Sequence, residues 1–93
     1  MKISIDEFLK VDIRVGTITK AEIFHKSHSP AIKLWIDFGS ELGEKKSSAQ
    51  ITKHYSPETL IGLQIAAVTN LPPKQIGNYM SEVLLLGFPD QNA

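Results

Sequence analysis

Hydrophobic and polar positions along this chain change period several times, and the changes divide it into elements. Ile32, Leu34, Ile36 and Phe38 alternate with Lys33, Trp35 and Asp37, the cleanest two-residue period present, which predicts a half-buried strand. Upstream, Ile13, Val15, Thr17, Thr19, Ala21 and Ile23 share one parity, opposite Arg14, Lys20 and Glu22, with Ile18 as the exception. That pattern predicts a long strand, and Gly16 within it suggests a bend or bulge of the kind that closes a small barrel. A third strand is expected over 47–51, with Ala49 and Ile51 inward. Residues 65–71 are apolar on both faces, as in a covered strand, and residues 83–88 supply a fifth.

Helix signals are short and local. Ser4-Ile5-Asp6-Glu7 has capping-box spacing, so a turn or two of helix should follow, with Phe8, Leu9 and Val11 as its apolar contacts. Ser56-Pro57-Glu58 places serine at a cap, proline at the first helical position and an acid near the positive end of the dipole, and Gly62 ends that helix. Residues 25–30 and 39–46 read as loop and turn, and Pro72-Pro73 blocks further pairing ahead of a proline-glycine loop. The expected fold is mainly β, a five-stranded barrel with a short amino-terminal helix and a short helix between strands three and four. That is the element order of an OB-fold, although other small barrels also have five strands.

Composition narrows the function classes. The 93 residues leave room for one domain, expected over 1–93, with an ordinary 42% hydrophobic and 22% charged content. Cysteine is absent, which excludes disulfides and thiolate metal sites and is compatible with a reducing cytoplasm. No apolar run approaches the roughly 18 residues of a membrane span, and Met1-Lys2 leads into a polar helix rather than a signal peptide. Ten Lys plus Arg balance ten Asp plus Glu, which counts against strong non-specific binding to nucleic acid.

Candidate chemistry is that of binding. Lys33 and Trp35 share the outward face of strand two, and Ser48 and Gln50 the corresponding face of strand three. OB-folds commonly bind ligands there, using an aromatic platform beside polar donors. Two readings of Trp35 stand: an exposed platform, or a ring covered by the amino-terminal helix or a second subunit. Lys53, Lys74 and Ser81 could add a second polar rim, although each lysine taken singly reads as an ordinary solvated charge. Lys45-Lys46 beside Glu41 and Glu44 reads as a solvated turn. His25, His28 and His54 lack carboxylate or cysteine partners at ligand spacing, and neither Ser47 nor Ser48 sits in a nucleophile motif, so no metal, cofactor or catalytic role is expected.

Asp12-Ile13-Arg14-Val15-Gly16, the run 47–62, and Asn70-Leu71-Pro72-Pro73-Lys74 through Gly87 together resemble the tRNA-binding-domain family. Within it, SSAQIT, LPPK and LLGFPD are similar to the CsaA-type protein-export chaperones, whereas HKSHSPA at 25–31, Gln50 and Ser81-Glu82-Val83-Leu84 depart from the forms of tRNA-binding members. The resemblance implies a non-enzymatic OB-fold homodimer that binds unfolded preproteins and the SecA translocase. The competing implication is shape-based tRNA recognition, with phosphate contacts from Lys33, Lys53 and Lys74 and stacking on Trp35. Members of the family usually continue past 87–90 with a further short strand segment that supports dimerisation, and this sequence, ending at Ala93, departs from them there.

Overall fold

The computed structural model describes residues 1–26, 29–49, 56–76 and 79–87. The capping box forms as expected: the Ser4 hydroxyl accepts from the Glu7 amide at 3.1 Å, and the Ser4 amide donates to the Glu7 carboxylate at 2.9 Å. It starts the single-turn helix α1 (Ile5–Phe8). This helix buries no residue, and Phe8, Leu9 and Val11, expected as its apolar contacts, are exposed. Polar groups fix the exit from the helix instead. The Asp12 amide donates to Asn70 Oδ1 at 2.9 Å, Asn70 Nδ2 donates to the Lys10 carbonyl at 2.7 Å, and the Thr69 amide donates to the Asp12 carbonyl at 2.8 Å.

Five antiparallel strands form one curled sheet in the order β3-β2-β1-β4-β7: β1 (Ile13–Lys26), β2 (Ser29–Asp37), β3 (Glu44–Ala49), β4 (Gln64–Val68) and β7 (Leu84–Gly87). Helix α2 (Pro57–Leu60) sits between β3 and β4, as an OB-fold requires. The alternation in β2 holds from Ile32 to Ile36, with Ile32, Leu34 and Ile36 fully buried; Ala31, on the other parity, is buried as well. They pack with Ile18, Leu60, Ile65, Ala67 and Val83, and each large aliphatic side chain so buried contributes about 1.5–3 kcal/mol. Strand β4 is shorter than the apolar run suggests. Ile65, Ala67 and Val68 are buried, but Leu71 is exposed beyond the strand end.

Strand β1 differs from its sequence pattern in an instructive way. Its register jumps from Ile18↔Ile36 to Lys20↔Trp35, so Thr19 is an extra residue with no partner of its own. Before this bulge the even positions Gly16 and Ile18 face the core, and Ile13 and Val15 face outward; after it Ala21 faces inward. The apolar parity therefore belongs to two different faces, and Ile18 marks where they exchange. Gly16 is not the bulge. It is needed because a Cβ there would lie 2.6 Å from Ile36 Cγ2 and 2.8 Å from the Phe38 ring. At the same level the Ile18 amide donates to the Leu63 carbonyl at 2.9 Å and its carbonyl accepts from Gly62 at 2.8 Å. Gly62 has φ +93°, the left-handed conformation that ends α2 and suits glycine.

The stretch expected as a proline-glycine loop contains a small hairpin, β5 (Lys74–Ile76) with β6 (Tyr79–Ser81). Beyond it the chain returns to the free edge of β3. Glu82 bonds both backbone groups of Lys46, donating its amide to the Lys46 carbonyl at 2.8 Å and accepting the Lys46 amide on Oε1 at 2.9 Å. Ser47, a buried polar residue, donates its hydroxyl to the Val83 carbonyl at 2.8 Å. These bonds bring the two ends of the sheet together and curl it toward closure.

Candidate binding face

Cross-strand register builds two rows on the outer wall of β1, β2 and β3. One row is Lys20, Trp35 and Lys46; the next is Glu22, Lys33 and Ser48. All six side chains point away from the core, because their strand neighbours Ala21, Leu34 and Ser47 are buried. With Thr19 taken up as the bulge, Lys20 faces outward. The Thr19 hydroxyl lies 3.2 Å from the Trp35 carbonyl and 2.8 Å from Glu44 Oε2, which holds the irregular strand against β2.

Tyr79 completes the face from the β5–β6 hairpin. Its ring meets Trp35 edge to face, with centroids 6.2 Å apart and planes at 73°, and its hydroxyl donates to the Leu34 carbonyl at 3.0 Å. Chiefly burial, with the charges of Glu82 and Glu22 adding to it, pushes the Tyr79 hydroxyl up to about 12, so it stays a neutral donor at neutral pH. Lysine ammonium groups crowd both rings. Lys20 Nζ lies 4.7 Å from the Trp35 centroid, and Lys33 and Lys46 lie 5.2 and 5.6 Å from that of Tyr79. Lys20 also approaches Glu22 at 3.8 Å. Such a face can stack planar or apolar groups and can hold anionic ones.

Of the residues singled out in the sequence, the structure brings Lys33, Trp35 and Ser48 into this face, with Trp35 half-buried against Tyr79 and outside the barrel interior. Lys74 is exposed on the hairpin and pairs with Ser81. The Ser81 hydroxyl turns to the seam of the barrel, 3.3 Å from the Val83 carbonyl and 3.5 Å from Ser47 Oγ. Gln50 and Lys53 lie outside the described residues, as do His28 and His54. Sequence reasoning missed Lys20, Lys46 and Tyr79. Lys46 was expected in a solvated turn but lies inside β3, directly opposite Trp35. Among the described residues, no group of three or more His, Asp or Glu is arranged to hold a metal ion.

The rest of the outer wall is different in kind. Ile13 and Val15 of β1 stand opposite Val68 and Ala66 of β4, and Leu84 of β7 opposite Val68, which is itself buried; Val15 and Leu84 are 62% and 53% exposed. Leu86 is also exposed. At the foot of this wall the Arg14 guanidinium grips Asp12 at 3.0 and 3.2 Å and reaches Glu41 at 3.5 Å. Those hydrogen bonds hold the Asp12 carboxyl below its ordinary range.

A sequence profile described as "Putative tRNA binding domain" matches residues 13–93. The chain belongs to the tRNA-binding-domain family. Among relatives, the methionine–tRNA ligase of Porphyromonas gingivalis is 39% identical over 88 residues, which is 95% of this chain but 12% of that protein. The chain thus spans about an eighth of the length of the ligases it matches. Solved structures include the chaperone CsaA from Bacillus anthracis (TM-score 0.88, 54% identity, 98% of this chain and 83% of that one). The CsaA chaperone protein from Picrophilus torridus follows with TM-score 0.85 and 50% identity over 92% and 79% of the two chains. A MetRS related protein from Pyrococcus horikoshii has TM-score 0.79 and 32% identity over 99% and 83%. The tRNA-binding domain is a non-catalytic module, and the described residues contain no helix long and apolar enough to cross a membrane.

Proposed function

We propose that this protein is a CsaA-like export chaperone: residues 1–93 act as one OB-fold domain, two copies pair, and the dimer holds unfolded preproteins for the SecA translocase in the cytoplasm. The observation that carries this reading is the gradient of identity, 54% and 50% to the two CsaA chaperones against 39% and 32% to the ligase and the MetRS related protein. The two walls of the barrel give it a physical basis. The apolar wall of Ile13, Val15, Leu84 and Leu86 suits a second copy, since patches of this kind mark interaction sites. The lysine-aromatic wall stays open in such a dimer and offers ring surface to side chains of an extended polypeptide. Zero net charge supports a polypeptide ligand over a polyanion.

A second reading, structure-specific tRNA binding, is favoured by Lys20, Lys33 and Lys46 around two rings, with Lys53 and Lys74 as further phosphate contacts. Titrating the protein with a reduced, alkylated polypeptide and with tRNA at two salt concentrations separates the two. The chaperone reading expects polypeptide binding with weak salt dependence and a negative heat-capacity change. With five phosphate contacts, tRNA affinity would fall roughly 100- to 500-fold between 50 and 200 mM salt. Tight, steeply salt-dependent tRNA binding without polypeptide binding would replace the first reading by the second.

A further inference from the structure

The Trp35 ring is already occupied. Lys20 stands directly opposite Trp35 in the ladder, and its ammonium lies 4.7 Å from the ring centroid. The position is built into the strand: with Thr19 taken up as the bulge, Lys20 faces outward opposite Trp35, and the Thr19 hydroxyl is tied to the Trp35 carbonyl and to Glu44. Glu22 Oε1 lies 3.8 Å from the same Nζ, so the ammonium already spans ring and carboxylate. Tyr79 meets the indole edge to face, and its own ring is approached by Lys33 and Lys46. A cation over an exposed ring is held weakly, with a strength equivalent to a few-fold in an equilibrium constant. Lysine stems are flexible, so the ammonium can leave the ring without any backbone change.

We propose that Lys20 is a displaceable cover on Trp35, an intramolecular competitor for the ring surface that an aromatic or apolar side chain of a bound polypeptide takes. On ligand entry the ammonium leaves the indole and stays with the Glu22 carboxylate, where a closer ion pair compensates for the lost ring contact. This rests on the reading that Trp35 belongs to the binding face. It gives Lys20 a sign opposite to that expected of a lysine on a binding surface: removing it strengthens binding. It also makes Glu22, which stands opposite Lys33 in the ladder as well, a positioning residue for Lys20.

The test uses the full chain, with reduced, carboxymethylated α-lactalbumin and a uridine oligonucleotide as probes, and acrylamide quenching of Trp35, the single tryptophan of the chain, as a direct readout. Lys20→Ala is expected to raise acrylamide quenching in the free protein and to tighten polypeptide binding roughly two- to fivefold. Glu22→Gln should weaken binding about twofold in the wild type and less in the Lys20→Ala background, where only its place opposite Lys33 remains. If Lys20→Ala leaves quenching unchanged or weakens polypeptide binding while Trp35→Ala also weakens it, the cover is refuted and the face survives. If Lys20→Ala weakens oligonucleotide binding most and flattens its salt dependence, Lys20 is a direct phosphate contact and the proposal falls. If Trp35→Ala changes neither probe, the face itself is wrongly assigned, and the cover falls with it.

Discussion

The two walls of this barrel are made from the same strand and have nothing chemically in common. Where β1 pairs with β4, its outward residues are Ile13 and Val15, next to Ala66 and Val68 and without a charge between them. Past Thr19, where it pairs with β2, its outward residues are Lys20 and Glu22, facing Trp35 and Lys33. The inner side does not change, because Ile18 and Ala21 both reach one core. Surface character is therefore set independently of the packing that stabilises the fold. An apolar wall and an ionic, aromatic one can diverge toward different partners over a shared interior.

The strongest perturbation breaks both walls together. Gly16→Val places side-chain atoms where Ile36 and Phe38 already stand, and should cost about 2–3 kcal/mol, read as a lower urea midpoint with an unchanged m-value. Tyr79→Phe acts on the ionic wall alone. It removes the hydroxyl bond to the Leu34 carbonyl and should cost about 1–1.5 kcal/mol, with a change in Trp35 emission. The same substitution tests the titration. The folded-state pKa of about 12 lies above the ordinary 10.0, so the stability linked to this hydroxyl is complete below pH 10 and is lost as pH rises through 12. The variant should show a shallower alkaline loss of melting temperature than the wild type.

Val15→Asp sharpens the comparison from the other side. The site is exposed, so monomer stability should move by no more than about 0.5 kcal/mol, while sedimentation velocity should show loss of the proposed dimer. Lys46→Ala should do the reverse, sparing assembly and altering ligand binding. A Val15→Asp protein that remains dimeric would show that the apolar wall is not the contact between copies. The smallest effect concerns the foot of the apolar wall. Asp12 is depressed by Arg14, so its contribution is present above its ordinary value of 3.8 and disappears as pH falls through the lowered folded value. Arg14→Met should flatten that acid limb, measured as melting temperature between pH 2 and 6.

How much of this was legible depended on whether a local pattern met a local cause. Strand β2 was readable because its alternation is unbroken from Ile32 to Ile36 and both faces are simple. The Ser4–Glu7 cap was readable because all its partners lie within four residues. The faces of β1 were not, because one inserted residue inverts parity and both parities carry aliphatic side chains. Tyr79 and Lys46 escaped for a different reason. What makes them part of a face is contact between segments more than 30 residues apart, through Glu82 on Lys46 and the Tyr79 hydroxyl on Leu34. A tyrosine beside Met80 in a stretch read as a loop was the hint in the sequence. The family resemblance was legible from short motifs, and Asp12 and Asn70 show why: they hydrogen-bond to each other across 58 positions and fix how the chain enters and leaves the barrel.

Thr19 sets the shape of its strand and not the order of its faces. Deleting it would leave Ile18 inward, Lys20 outward and Ala21 inward, in an unbroken ladder against Ile36, Trp35 and Leu34. What would go is the local bend and added twist that an extra residue brings, together with the hydroxyl bonds to the Trp35 carbonyl and Glu44. One threonine thus bends a ribbon whose two sides were already allotted.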